Sequence, residues 1–284
     1  MRKEAEMPEP QPDAALLEEM ERTAVTLADL AGARIAAALG QVLSVRYKPG
    51  ESAHAFRDPV SEVDQDVEKL IRTLVGERFV GHDILGEESE ERPGRGHDIV
   101  WAIDPIDGTT NFVNGFPLFA ASIGVLWRGR PVVGAVWCST SHALRPGVYH
   151  AREGGRLRFD SQPLELTPNP QVRRRLAGTG APDDPSRLPY DLRRTGSAAV
   201  ECAFLAAGLL GVSRFQTPNV WDVAGGIPLV RAAGGQVLVR GEEDWEAFDG
   251  FLDPAAPQRD LRSWNRAVLL GEAGAIAAMR SAGW

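Results

Sequence analysis

Two aspartates stand three residues apart across a proline in the stretch WAIDPIDGTTNF (residues 101–112), which runs directly into Gly-Thr-Thr. The apolar run IVWAI reads as a strand, and Pro105 stops regular pairing just after Asp104. Gly108 permits a tight turn, and Thr109 or Thr110 can cap a short helix after it. Asp104 and Asp107 are therefore expected at a strand end, beside a helix N-terminus whose free N–H groups attract anions. Carboxylates and an anion-binding turn oppose each other unless a hard cation joins them. Mg2+ does this, taking one or two carboxylates together with substrate phosphate oxygens. The competing reading is a capped Asp-Gly-Thr-Thr turn with no ligand.

Other acids sit at comparable positions. Glu87 and Glu88 end the short strand DILGEES, where Gly86 suits a close backbone approach, although such a pair is commonly a solvated turn. Asp64, in PVSEVDQD, lies in the first turn of a helix, where a carboxylate often serves only the macrodipole. Asp222 opens the helix VAGGIPLVRAAGG, and an N-cap role alone would account for it. Trp221 before it and the small residues Ala224, Gly225 and Gly226 after it leave that helix end open to close approach. Acidic sites gathered from several element ends are what a two-metal phosphate site requires.

The elements that must position these acids follow from periodicity. Residues 14–43 repeat apolar side chains at helical spacing, as one long helix or a helix pair. VRYKPGESAHAFRD (45–58) reads as a loop, and SEVDQDVEKLIRTLVGERF as a helix started by Ser61 or Asp64. Next come short β-like runs, DIVWAID, FAASIGVLWRG, RPVVGAVWC, GVYHARE, RLRFD and LELTP, whose spacing suggests an antiparallel sheet. After Asn169 strands and helices alternate: RRRLAGTG, SAAVECAFLAAGLL, SRFQ, WDVAGGIPLVRAAGG, QVLVR, AVLLG and a final helix AGAIAAMRSA. The expected organisation is a tail over 1–13, a helical and antiparallel-sheet half over 14–168, and a mixed α/β half over 169–284, packed as one catalytic unit.

Bulk properties narrow the class. A chain of 284 residues can bury a large core. A net charge of -8 argues against a nucleic-acid surface, which needs clustered Lys and Arg. Cys138 and Cys202 are too few for a disulfide framework and read as buried thiols of a reducing compartment. The histidines have no ligand spacing, and Trp127, Trp137 and Trp245 read as core or interface residues. No run is apolar and long enough to span a membrane, and MRKEAEMPEPQPD lacks a signal-peptide core, so a cytoplasmic protein is expected.

Read together, these stretches resemble the inositol monophosphatase family of lithium-sensitive, Mg2+-dependent phosphatases. The family pattern D-P-I/L-D-G-T-T/S-N-F stands unbroken at residues 104–112, and W-D-x-A-A/G-G stands as WDVAGG at 221–226. GEES and SEVDQDVEKLI supply the remaining acids in the family's order, so the resemblance covers nearly the whole chain. It implies an α/β fold, a layered αβαβα sandwich. It further implies that Glu87, Asp104, Asp107, Asp222 and the carbonyl of Ile106 ligate two or three Mg2+ ions. Gly108, Thr109 and Thr110 would meet the phosphate, and Asp64 with Thr109 would orient or deprotonate the attacking water, with Glu87 also catalytic. A small phosphate ester as substrate, Li+ as inhibitor and a homodimer are implied as well.

The sequence departs from the pattern seven positions before Asp222, where inositol-selective members carry an acid and this chain has Phe215. Phe215 is then either plain core or a sign of another or broader substrate; Ala198, in GSAAVE, would also neighbour the substrate. Lys48 or Arg57 are the basic candidates of the 46–57 loop. Substrates left open are inositol monophosphate, another sugar phosphate, fructose bisphosphate, histidinol phosphate and a 3′-phosphonucleotide. An aspartyl-phosphate mechanism needs D-x-D-x-T, which the inserted Pro105 excludes here. A non-catalytic member acting as a binding partner is the other alternative.

Overall fold

The computed structural model describes residues 12–41, 45–47, 59–89, 97–165, 169, 171–172, 175–180, 188–252 and 260–284. Lys48 and Arg57 lie outside the described residues. Helix α1 (Ala14–Ala38) begins on Asp13, whose carboxylate accepts from the Leu16 N–H at 2.7 Å, and it buries one stripe including Met20, Leu27 and Ile35. The apolar period extends to Leu43, but the helix stops at Ala38, ahead of Gly40 in the left-handed region at φ +78°. The segment read as loop from Val45 is not all loop. Strand β1 (Val45–Tyr47) pairs antiparallel with β2 (Pro59–Ser61). Helix α2 (Glu62–Arg78) starts from Ser61, not Asp64; Asp64 is the third helical residue and closes a capping box onto Ser61.

A seven-stranded sheet follows. Its strands are β3 (Asp83–Gly86), β4 (Ile99–Asp107), β5 (Ala120–Trp127), β6 (Arg130–Cys138), β7 (Gly147–Arg152), β8 (Arg158–Phe159) and β9 (Gln162–Pro163), hydrogen-bonded in that order. It departs from the antiparallel expectation at its edge, because β3 runs parallel to β4. Of the expected strand LELTP, Leu164 and Glu165 are irregular after pairing ends at Pro163, and residues 166–168 lie outside the described residues. Between β4 and β5 a five-residue helix, α3 (Thr109–Val113), makes the turn.

The second sheet has six strands in the order β11-β10-β12-β15-β13-β14. They are β10 (Leu176–Thr179), β11 (Asp191–Arg193), β12 (Val212–Phe215), β13 (Gln236–Arg240), β14 (Trp245–Ala247) and β15 (Val268–Gly271). The strands β10, β11 and β12 are parallel neighbours and the rest antiparallel, as a mixed half requires. The edge strands β11 and β14 are three residues each, too short for their pattern to announce them. Helix α4 (Ala198–Ala206) precedes β12. The run from Trp221 forms two helices rather than one, α5 (Val220–Ala224) and α6 (Gly226–Ala232), broken at Gly225. Helix α7 (Ala273–Ser281) ends the chain.

Five layers result. On β4, Trp101 and Ile103 pack into the cluster formed with α1 and α2, while Val100 and Ala102 face α5 and α6 on the other side. The second sheet meets those helices with Val268 and Leu270, and turns Leu269 outward to α7. Period-two alternation with both faces covered explains why these strands read as continuous apolar runs. Each large side chain so buried contributes about 1.5–3 kcal/mol. Among the described residues no helix is long and apolar enough to cross a membrane, and both cysteines are buried free thiols.

One packing detail fixes the site. Gly124 of β5 pairs directly with Gly134 of β6, leaving a trough with no side chains. The α5–α6 junction sinks into it: a Cβ on Gly134 would lie 2.0 Å from the Gly225 carbonyl oxygen, and one on Gly124 would lie 2.6 Å from Ala224. Ser122 Oγ donates to the Trp221 carbonyl at 3.3 Å beside this contact. The helix carrying Asp222 is thereby seated on the strands next to the one carrying Asp104 and Asp107.

Candidate active site

The site lies at the C-terminal end of β4. The strand continues past Pro105 to Asp107, but its pairing with β5 shifts between Asp104 and Asp107, where the proline cannot donate to the ladder. The chain then turns at Gly108, which has φ +89° and whose added Cβ would meet two carbonyl oxygens and Ser197 at 3.2 Å. Glycine is required there for both reasons. Helix α3 begins at Thr109 with Gly108 as its N-cap and no side-chain cap, so neither threonine caps it. Thr109 Oγ1 instead lies 2.8 Å from the Ile106 carbonyl and 3.1 Å from Asp64 Oδ1, and its single proton can serve only one of them at a time. Thr110 is exposed.

Each carboxylate is held by local donors. Asp64 Oδ2 accepts from the Ser61 N–H at 2.8 Å and from the Ser61 hydroxyl. Asp107 Oδ2 accepts from Ser197 Oγ at 2.7 Å and from the Ala199 N–H at the start of α4. Asp222 is not an N-cap. Asn219 is, and Asp222 Oδ2 returns to the Asn219 N–H at 2.7 Å in a second capping box. Glu87 follows the end of β3, where its N–H donates to the Ile103 carbonyl at 3.2 Å. The parallel register of β3 and β4 thus sets its position.

The acids face one another electrostatically. Burial, followed by the charges of Glu87, Asp107 and Asp222, pushes Asp104 well above the usual carboxylate range, and Asp104 shares a hydrogen bond with Glu87. Burial, with Asp107 as the leading charge, does the same to Asp222. Asp107 is pushed up to about 6 by burial, opposed by its bonds to Ser197 and Ala199. Asp64 is likewise pushed up to about 6 by burial, against the Ser61 and Thr109 bonds. Asp104 is 2% exposed, and its Oδ1 has no hydrogen-bond partner among the described residues. A buried, unpartnered carboxylate oxygen among other carboxylates is costly unless a cation joins it.

The donor set fits a hard divalent cation, being all oxygen and strongly acidic. The side chains as they stand do not close on one point: among the described residues no three His, Cys, Asp or Glu groups enclose an ion. The hydrogen bonds just given account for this, since Asp64, Asp107 and Asp222 each turn Oδ2 to a backbone donor.

Ala198, the first residue of α4, stands beside the Asp107 contact. Phe215 is 8% exposed and packs in the apolar cluster with Leu85, Val100, Ala102 and Trp221. Further site residues were not expected from the sequence. Ser197 is the N-cap of α4, accepting from the Val200 N–H, and its hydroxyl also donates to Asp107. Asn111 Nδ2 donates to the carbonyls of Leu118 at 2.6 Å and Thr195 at 2.7 Å, tying α3 to the second half. Glu201 lies deeper, 3% exposed, with Oε1 accepting from Thr195 Oγ1 at 2.8 Å. Burial pushes it up to about 7.

Known proteins share this arrangement of sequence and fold. A model described as the inositol monophosphatase family matches residues 16–272. Phosphatase IMPL1, chloroplastic, of Arabidopsis thaliana is 31% identical over 269 residues, covering 87% of this chain and 70% of that protein. Nus factor SuhB of Pasteurella multocida is 31% identical over 247 residues, covering 79% of this chain and 90% of that one. An inositol monophosphatase structure from Anabaena (Nostoc) sp. superposes with a TM-score of 0.69 at 23% identity, over 93% of this chain and 95% of that chain; at such identity the likeness speaks to the fold.

Proposed function

Because the chain belongs to the inositol monophosphatase family, we propose that it is a Mg2+-dependent phosphomonoesterase acting on a small phosphorylated metabolite. The observation that carries this reading is Asp104, buried with an unpartnered oxygen among Glu87, Asp107 and Asp222. Those four carboxylates and the Ile106 carbonyl would hold the ions, two or three in number by family resemblance. Bound there, Mg2+ lowers the pKa of water and offsets the charge of the phosphate.

The chain's own groups do the rest. Above about pH 6 Asp64 is ionised, and its Oδ1 takes the Thr109 hydroxyl proton as a hydrogen bond at 3.1 Å. Thr109 Oγ1 would accept a hydrogen bond from the attacking water and, as it takes that proton, pass its own to Asp64, so the pair orients and deprotonates the nucleophile. First-turn N–H groups of a helix suit phosphate oxygens, and those of α3, at Thr109 and Thr110, would face the ester. Gly108 keeps that approach clear of a side chain. Positioning and charge neutralisation of this kind are most of what phosphoryl transfer needs.

Phe215, buried among apolar side chains, offers no acceptor for a sugar hydroxyl. We therefore read the substrate as a sugar phosphate or other small ester rather than inositol monophosphate alone. A site that lacks a hydrogen-bonding partner discriminates weakly.

The test is phosphate release from inositol monophosphate, another sugar phosphate, fructose bisphosphate, histidinol phosphate and a 3′-phosphonucleotide, with Mg2+, with EDTA and with added Li+. Mg2+-dependent, Li+-inhibited release supports the reading, and the best kcat/KM names the substrate. The resemblance to a Nus factor favours one second reading, a binding protein that retains the metal site. No release from any ester, by folded protein that binds Mg2+, would select it.

A further inference from the structure

Arg262 belongs to none of the motifs above. It lies on a short 3-10 turn, Leu261–Ser263, where its N–H donates to Asp260 at 3.0 Å. Its side chain reaches two parts of the site. Nη2 donates to the carbonyls of Gly86 and Ser89, which bracket Glu87 and Glu88. The guanidinium carbon also stands 5.1 Å from the centre of the Trp221 ring, the residue before Asp222. One planar cation thus joins the end of β3 to the start of α5.

Arginine suits this double task because it donates in its plane and stacks on an aromatic with its face; lysine can do only part of it. Trp221 needs such a hold. It is buried, and its indole N–H has no partner among the described residues, so no hydrogen bond of its own fixes the ring.

We infer that Arg262 is a positioning residue for the carboxylate cluster, setting the turn that presents Glu87 against the Trp221–Asp222 segment. The inference rests on the phosphatase reading. Residues that orient metal ligands typically change metal affinity by about 10–100-fold when replaced.

The experiment measures Mn2+ binding by electron paramagnetic resonance of the free ion for the wild-type chain, Arg262→Met and Arg262→Lys, with circular dichroism confirming the fold. Arg262→Met, which keeps apolar bulk against Trp221 and loses the donors, is expected to weaken Mn2+ binding at least tenfold, with Arg262→Lys intermediate. In phosphate release, the Mg2+ concentration for half-activation rises while kcat at saturating Mg2+ recovers. A Met variant with a lowered Tm but wild-type Mn2+ affinity assigns Arg262 a purely structural role and overturns the inference. Where the Met variant does not fold, unchanged Mn2+ affinity in Arg262→Lys overturns it. A wild-type chain that binds no Mn2+ overturns the phosphatase reading first, and the inference with it.

Discussion

Adding one methyl group at Gly134 tests how the site is assembled. The new Cβ would stand 2.0 Å from the Gly225 carbonyl oxygen, and real Cβ contacts essentially never fall below 3.0 Å, so the strand and the α5–α6 junction must part by at least 3.0 − 2.0 = 1.0 Å. The opposing Gly124 is already in contact with Ala224 and cannot absorb the movement. Overpacking of this kind costs about 1–3 kcal/mol. For a chain of this size that lowers Tm by about 2–5 °C. The displaced segment carries Asp222, three residues before Gly225, and a 1 Å misplacement of a catalytic group costs roughly 100-fold in rate. Gly134→Ala should therefore lose both Tm, by differential scanning calorimetry, and kcat/KM, by phosphate release well below Tm. Gly124→Ala should behave alike. Wild-type kcat/KM in a Gly134→Ala protein with reduced Tm would mean that the sheet yields instead of the helix. The claim that the glycine trough seats Asp222 would then be refuted.

Asp104→Asn should abolish phosphate release at any Mg2+ concentration while leaving Tm in EDTA equal or higher, because the buried oxygen no longer carries charge. Gly76, inside α2 with nothing within 4 Å of an added Cβ, should become stabilising as Ala by about 0.5–1 kcal/mol, seen as a rise in Tm. In EDTA the protein should be more stable near pH 5 than near pH 8. Asp64 and Asp107, at about 6, and Glu201, at about 7, all lie above their unfolded values, so the folded state binds the extra protons. The stability they favour is full below the unfolded values and is lost as pH rises through 6 to 7. Glu201, moved from 4.5 to about 7, accounts for about 3 kcal/mol of this slope. Glu201→Gln should flatten it, and Tm measured across that range decides.

The readable part of this protein was what local sequence dictates. Short runs rich in Val, Ile and aromatics between turn residues marked β4, β5 and β6, and Pro105 with Gly108 marked the shifted register and the left-handed turn. What escaped depends on tertiary partners. The break of the last motif into α5 and α6 follows from the fit of Gly225 against Gly134, which are far apart in the chain. The parallel edge pairing of β3 depends on where α2 returns the chain. Ser197 meets Asp107, and Arg262 the carbonyl beside Glu87, only across the two halves, so no spacing in the sequence could announce them.

Two of the acids share one device. Ser61 with Asp64 and Asn219 with Asp222 are each an N-cap and a third helical residue, closing a capping box whose carboxylate accepts from the N-cap N–H. A motif that ordinarily starts a helix therefore also aims a carboxylate, and it does so from four consecutive residues with no help from the rest of the fold. Asp107 receives the equivalent hold from Ser197 and the Ala199 N–H. Asp104 Oδ1, by contrast, is fully buried with no hydrogen-bond partner among the described residues. The cluster thus holds one buried, unpartnered carboxylate oxygen beside Asp107 and Asp222, each with an Oδ2 held by a backbone N–H group. An arriving cation would meet Asp104 first and would then compete with an N–H bond at Asp107 and at Asp222. That competition predicts stepwise metal binding, with the tightest step lost in Asp104→Asn and the weaker steps strengthened when Ser197→Ala releases Asp107. Calorimetric titration with Mg2+ showing a single step for the wild-type chain, unchanged in Ser197→Ala, would refute that order.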